Sequence, residues 1–191
     1  WSTISNWSGS TNIVNMAACP TSLTTLYVIR GNILYKTTNS GTAWTNITGS
    51  NFPSGASLTY VAVSPTNANH VYVTFSGYSS GNKVFYSSNG GTSWTNISNG
   101  LPNLPADCIV VGSGSTEPVY LGMDVGVYYK DNTMSFWQPF MTGLPNVQVT
   151  ELMIYNGVPS KLRASTFGRG FWESDLYTGS SGPAPVANFS G

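Results

Sequence analysis

An eight-residue turn sequence recurs along this chain at a near-constant interval, and few architectures accommodate that. Thr37-Thr38-Asn39-Ser40-Gly41-Thr42-Ala43-Trp44 returns as Ser87-Ser88-Asn89-Gly90-Gly91-Thr92-Ser93-Trp94, and a degenerate third copy runs from Lys130 to Trp137. Trp1-Ser2-Thr3-Ile4-Ser5 reads as the tail of a further copy. The tryptophans at 1, 44, 94 and 137 are therefore 43, 50 and 43 residues apart. A second marker, Gly-Leu-Pro-Asn, stands at 100–103 and again at 143–146. Repeats of this length mark arrays of supersecondary units that share their cores with neighbours.

Between the markers, short β-rich runs alternate with turn residues, and no stretch sustains a helical period. One unit reads as four strands at 58–64, 71–75, 83–88 and 94–97. The preceding unit repeats the pattern at 13–18, 26–30, 33–37 and 44–47, and the following one at 108–112, 119–123, 126–130 and 137–140. A last unit has three runs, at 150–155, 162–166 and 170–176. Four antiparallel strands every ~40–50 residues are the signature of propeller blades. The expected fold class is thus all-β, a β-propeller of about four four-stranded blades belonging to a larger ring of about six to eight. Blades are expected at 13–48, 58–98, 108–141 and 149–177, with 1–5 ending a preceding blade. Residues 178–185 then read as a Gly/Ser/Pro linker, and 186–191 as the opening strand of another domain.

The eight-residue markers resemble the Asp-box of BNR-repeat propellers, a group that includes sialidases, xyloglucanases and sortilin-type receptors. Asn39 and Asn89 stand where that family has Asp, while Lys130 and Met134 replace its Ser and Gly in the third copy. The resemblance implies that Asn39, Gly41, Trp44, Asn89, Gly91, Trp94, Asn132 and Trp137 are structural. The short polar residue would bond nearby backbone N–H groups, the glycine would supply the turn dihedrals, and the indole would be buried between sheets. The run 165–174 resembles the last blade of propellers in large secreted Bacteroidetes proteins, in which a PKD domain often follows and a type IX secretion signal lies further on. Residues 185–190 resemble the start of such a PKD domain.

Composition narrows the function. Seven Lys plus Arg balance seven Asp plus Glu, and only Arg30, Arg163 and Arg169 carry guanidinium groups. Nucleic-acid binding needs clustered cations to displace counterions, so it is not expected. No apolar run approaches the ~18 residues of a membrane helix. Solubility comes from Ser, Thr, Asn and Gly, a style that suits a secreted or cell-surface β protein. The two cysteines, Cys19 and Cys108, fall in different repeats and are expected as buried free thiols.

Chain direction separates two faces of the ring. The boxes lie on the turns between third and fourth strands, together with the loops joining first to second strands. The opposite face carries the turns between second and third strands and the connections between blades. Candidate binding residues on that opposite face are Trp7, Arg30, Asn32, Tyr78, Asp124 and Arg169. No catalytic residue, metal site or cofactor is expected. His70 has no second histidine with which to build a metal site. Glycoside hydrolysis needs two carboxylates about 5–9.5 Å apart across the scissile bond, and only Asp107 and Asp124 are placed near one mouth. The leading expectation is a non-catalytic module for glycan or surface-protein contact within a larger secreted polypeptide. The alternatives are part of a glycoside hydrolase completed by other blades, and a spacer beside another domain.

Overall fold

The computed structural model describes residues 3–4, 7, 10–178 and 189–190. Fifteen strands and no helix occur among them. The first blade holds β1 (Ile13–Cys19), β2 (Ser22–Arg30), β3 (Ile33–Thr37) and β4 (Thr45–Asn46). The second holds β5 (Leu58–Val63), β6 (Val71–Phe75), β7 (Val84–Ser87) and β8 (Thr95–Asn96). The third holds β9 (Ala106–Val111), β10 (Val119–Met123), β11 (Gly126–Lys130) and β12 (Gln138–Pro139). The fourth holds β13 (Val149–Tyr155), β14 (Lys161–Thr166) and β15 (Gly170–Asp175). Every sheet is an antiparallel meander in sequence order, three of four strands and the last of three. The inner strands β1, β5, β9 and β13 pack side by side in that order.

Burial explains which runs look apolar. Each core lies between two consecutive blades: Tyr27, Ile29 and Leu34 meet Val61, Val73 and Phe85. On the other face of the second blade, Tyr72 and Val84 meet Ile109 and Leu121. Tyr120 and Val127 of the third blade then meet Leu152 and Leu162 of the fourth. The middle blades are thus covered on both faces, so β6 and β10 are buried at every residue. The fourth blade is covered on one face, and β14 alternates instead.

All four inner strands carry an irregularity at the same place. The pairing slips at the second residue of the strand, at Val14, Thr59, Asp107 and Thr150. A bulge there bends the strand where blades meet the opposite face, and it re-aims the side chain of the extra residue.

The boxes lock these blades. Asn39 Oδ1 accepts from the Thr37 hydroxyl and from the Ala43 N–H, both at 2.9 Å, while Thr37 Oγ1 accepts from the Gly41 N–H at 3.0 Å. Ser87, Asn89, Gly91 and Ser93 repeat the same set. Gly41 and Gly91 have φ of 90° and 91°, a left-handed conformation that glycine adopts without strain. The third copy is built differently. Asp131, not Asn132, accepts from the Thr133 N–H and hydroxyl and from the Tyr129 hydroxyl, while Asn132 donates to the Ser115 carbonyl. Met134 in the glycine slot avoids positive φ, which accounts for the altered loop.

The box tryptophans tie each blade to the one before it. Trp94 Nε1–H donates to the Ile47 carbonyl at 3.0 Å, and Trp137 Nε1–H to the Ile97 carbonyl at 2.7 Å. Trp44 Nε1 is buried without a partner among the described residues. The Gly-Leu-Pro-Asn markers receive these residues. A methyl group on Gly100 would lie 2.8 Å from the Trp137 carbonyl oxygen, and one on Gly143 would lie 2.7 Å from that of Phe189. Phe189 therefore occupies in the fourth blade the place of a box tryptophan. It is buried with Phe140, and Ser190 pairs with Glu173 on the free edge of β15. Of the segment read as the opening of another domain, these two residues are described, and both lie on the fourth blade. Trp1 and most of the 178–185 linker lie outside the described residues.

Candidate contact face

Four of the sequence-selected residues prove to be held by the protein itself. Trp7 is half-buried on the first blade, with its ring 4.6 Å from Trp44 and 5.4 Å from Tyr35. Arg30 lies over the Trp7 ring at 5.6 Å and donates through Nε–H to the Thr11 carbonyl. Asn32 is a clamp between blades: its Nδ2 donates to the Ala56 carbonyl at 3.1 Å, and its Oδ1 accepts from the Leu58 N–H at 2.7 Å. Asp124 is half-buried in the β10–β11 turn, where its N–H reaches the Pro105 carbonyl.

Beside Asp124 stands Asp107, the bulged residue of β9. Burial and then the neighbouring Asp124 charge push its carboxyl up to about 6, against a smaller downward pull from the Gln148 side chain. Asp107 Oδ2 is shut off from solvent without a hydrogen-bond partner. The bulge turns Asp107 toward the mouth, the β10–β11 turn brings Asp124, and the approach to β13 brings Gln148. Chain direction alone placed the two carboxyls together; Gln148 carried no signal in the sequence.

Tyr78 and Arg169 remain open. Tyr78 is 68% exposed in the β6–β7 loop. Arg169 is exposed at the tip of the β14–β15 turn, flanked by Phe167 and Phe171 at 72% and 82% exposure. The turn is fixed from behind, because Trp172 Nε1–H donates to the Arg169 carbonyl at 2.9 Å. Gly168 and Gly170, both at positive φ, let it bend tightly. Two exposed aromatic rings thus flank a guanidinium on a braced loop. Phe167 and Phe171 were legible in the sequence as the aromatics of a Gly-rich turn, but Arg169 alone was singled out there.

Comparison with solved structures agrees with this radial arrangement. An ancestral GH74 enzyme superposes with a TM-score of 0.73 at 17% identity, over 94% of this chain and 27% of that one. The chain folds as a β-propeller. The GH74 enzyme of Niastella koreensis matches this propeller at TM-score 0.67 and 17% identity, over 88% of this chain and 29% of that one. YCF48 bound to D1 peptide matches at 0.62 and 16%, over 94% of this chain and 55% of that one. The propeller described here spans less than a third of either GH74 enzyme and about half of YCF48. At these identities the likeness shows the fold. No family model matches the chain, and no curated protein does.

Proposed function

We propose that this propeller is a non-catalytic extracellular module that contacts a glycan or a surface protein through the face opposite the boxes. The braced Phe167–Arg169–Phe171 turn carries this reading. Exposed aromatic rings offer flat apolar surfaces to sugar rings or apolar side chains, and a guanidinium between them supplies directional donors. A loop held in place before binding loses little entropy on contact. Tyr78 extends the same aromatic character to the second blade.

The test is depletion of the purified protein from solution by a panel of insoluble polysaccharides. Depletion by one of them, lost in Arg169→Ala and Phe167→Ala while the melting temperature holds, supports glycan contact at this turn. Depletion unaffected by both substitutions overturns the placement. No depletion by any polysaccharide moves the reading to protein contact.

A second reading has one observation in its favour. Asp107, with its carboxyl pushed up to about 6, has the proton affinity of a general acid. The neighbouring Asp124 carboxyl is close enough for its charge to raise the Asp107 proton affinity. In this reading a hydrolase takes its second carboxylate from another blade, across the sugar ring. Xyloglucan, the substrate class named for a GH74 neighbour, is the polymer to try. Reducing-end release by a longer natural polypeptide, abolished in Asp107→Asn, would establish hydrolysis; release undiminished in that variant would dismiss Asp107.

A further inference from the structure

On the Asp-box face, between the second and third blades, lies a pocket of about 270 Å³ that the contact reading does not use. Its lining includes the aromatic rings of Tyr72, Tyr86 and Trp137, together with Glu117 and His70. The two tyrosine rings lean together at 4.8 Å, and the His70 ring meets Tyr86 edge-on at 5.6 Å.

Charge inside the pocket is unevenly balanced. Lys130 gives its ammonium to the backbone carbonyls of Asp131 and Met134. Asp131 is saturated by Thr133 and Tyr129. Those two opposite charges offset each other. Glu117 is left: its Oε2 contacts His70 Nδ1 at 2.7 Å. Its other oxygen, Oε1, is buried with no hydrogen-bond partner. A carboxylate oxygen in that state is costly to bury, and a charged donor would satisfy it. Burial first, and then the Glu117 charge, raise both the Tyr72 and Tyr86 phenols, and a weak interaction of the Tyr72 hydroxyl with the Glu117 carboxylate adds to the first.

The backbone holds Glu117 there at some expense. Its φ is 50°, a left-handed conformation that is uncommon for a residue with a Cβ, and such strain persists where surrounding contacts enforce it. The Asn132 N–H and side chain bond the Thr116 and Ser115 carbonyls, pinning the loop that presents Glu117. This also gives the departure of the third box from the other two a use, because Asn132 is released from the turn to hold that loop.

We propose that this inter-blade pocket binds an organic ammonium group, with Glu117 Oε1 as its anionic acceptor and the Tyr72, Tyr86 and Trp137 rings as its walls. Aromatic faces attract cations through the ring quadrupole, and a desolvated carboxylate supplies the full charge. Among the described residues no group of three or more His, Cys, Asp or Glu is placed to hold a metal, and the volume suits a polyatomic cation. The ammonium source is a free amine or a lysine side chain of a polypeptide. The site lies on the face opposite the proposed contact turn and does not depend on it.

The test is a heteronuclear NMR titration of nitrogen-labelled protein at constant ionic strength. The probes are n-butylammonium, 1-butanol as its neutral counterpart, and Nα-acetyl-lysine methylamide. Butylammonium is expected to shift the amides of His70, Glu117 and Asn132 and to bind at least about tenfold more tightly than butanol, with Glu117→Gln removing the difference. Tighter binding of the lysine derivative than of butylammonium assigns the source to a polypeptide; the reverse assigns it to a free amine, and both support the site. Equal binding of butylammonium and butanol, shifts confined to other blades, or unchanged affinity in a folded Glu117→Gln protein would each overturn it. Should that variant not fold, the comparison of the two butyl probes on the unaltered protein decides alone.

Discussion

The indole N–H of Trp137 donates to the carbonyl of Ile97, one blade back in the chain, at 2.7 Å. The pair joins two sheets across a largely apolar core, in addition to the Thr59 hydroxyl's bond to the Ala106 carbonyl and the His70–Glu117 contact. Trp137→Phe keeps most of the ring but leaves a carbonyl without its donor, so a loss of about 2 kcal/mol is expected from the bond and the smaller side chain together. Trp44→Phe should cost measurably less, because the Trp44 indole nitrogen has no partner to lose among the described residues. Urea unfolding of the two variants side by side checks the difference.

Asn32 serves the same purpose at the opposite face. It both donates to Ala56 and accepts from the Leu58 N–H, so Asn32→Ala orphans two backbone groups at once. A destabilisation of about 2–3 kcal/mol follows from that double loss. Equilibrium denaturation reads it, and a change below about 0.5 kcal/mol would mean that solvent replaces both bonds freely.

The Asp107 carboxyl makes stability fall with rising pH. Its pKa in the folded protein is about 6, against about 3.9 in an unfolded chain, so the folded state holds the proton more tightly. The contribution is complete below the unfolded value and disappears as the pH passes through about 6. Because the side chain is partly open to solvent, about 1 kcal/mol is a realistic size. Asp107→Asn should flatten this part of the profile and stabilise the protein at pH 7. Thermal melts between pH 4 and pH 7 for both proteins test the sign.

Cys19 and Cys108 are both free and buried, in different blades. Cys19 Sγ donates to the Ser64 carbonyl at 3.1 Å, and burial pushes the Cys108 thiol well up. Neither residue is open to solvent, at 1% and 0% exposure. An aromatic disulfide reagent should therefore leave both untouched in the native protein and modify both after unfolding. Rapid native labelling of either thiol would contradict this burial.

How far the sequence reveals this molecule depends on the distance over which each feature is determined. The turns are local, and β6, β10 and β11 begin and end where the spacing of apolar runs and turn residues predicts. The outermost strands are shorter than expected, two residues each, because the tryptophan before each of them turns out of the ladder to reach the neighbouring blade. Strand β9 begins two residues early, at Ala106, since the bulged Asp107 breaks the alternation that would have announced it. Asn32 reads as a turn residue, and its clamping role appears only when Ala56 and Leu58 arrive from the next blade. The exchange of Asp131 for Asn132 in the third box is likewise invisible, because both neighbours are good turn residues.

The two indole latches point the same way, from the second blade to the first and from the third to the second. Such head-to-tail joints make the first two internal junctions alike in their latch, while Phe189 stands at the corresponding place in the fourth blade. Excising one whole period would offer Ile47 to Trp137 in place of Trp94. A cut of any other length would strand an indole on one side and a carbonyl on the other. As far as this latch is concerned, length variation is quantised, and the quantum is the repeat.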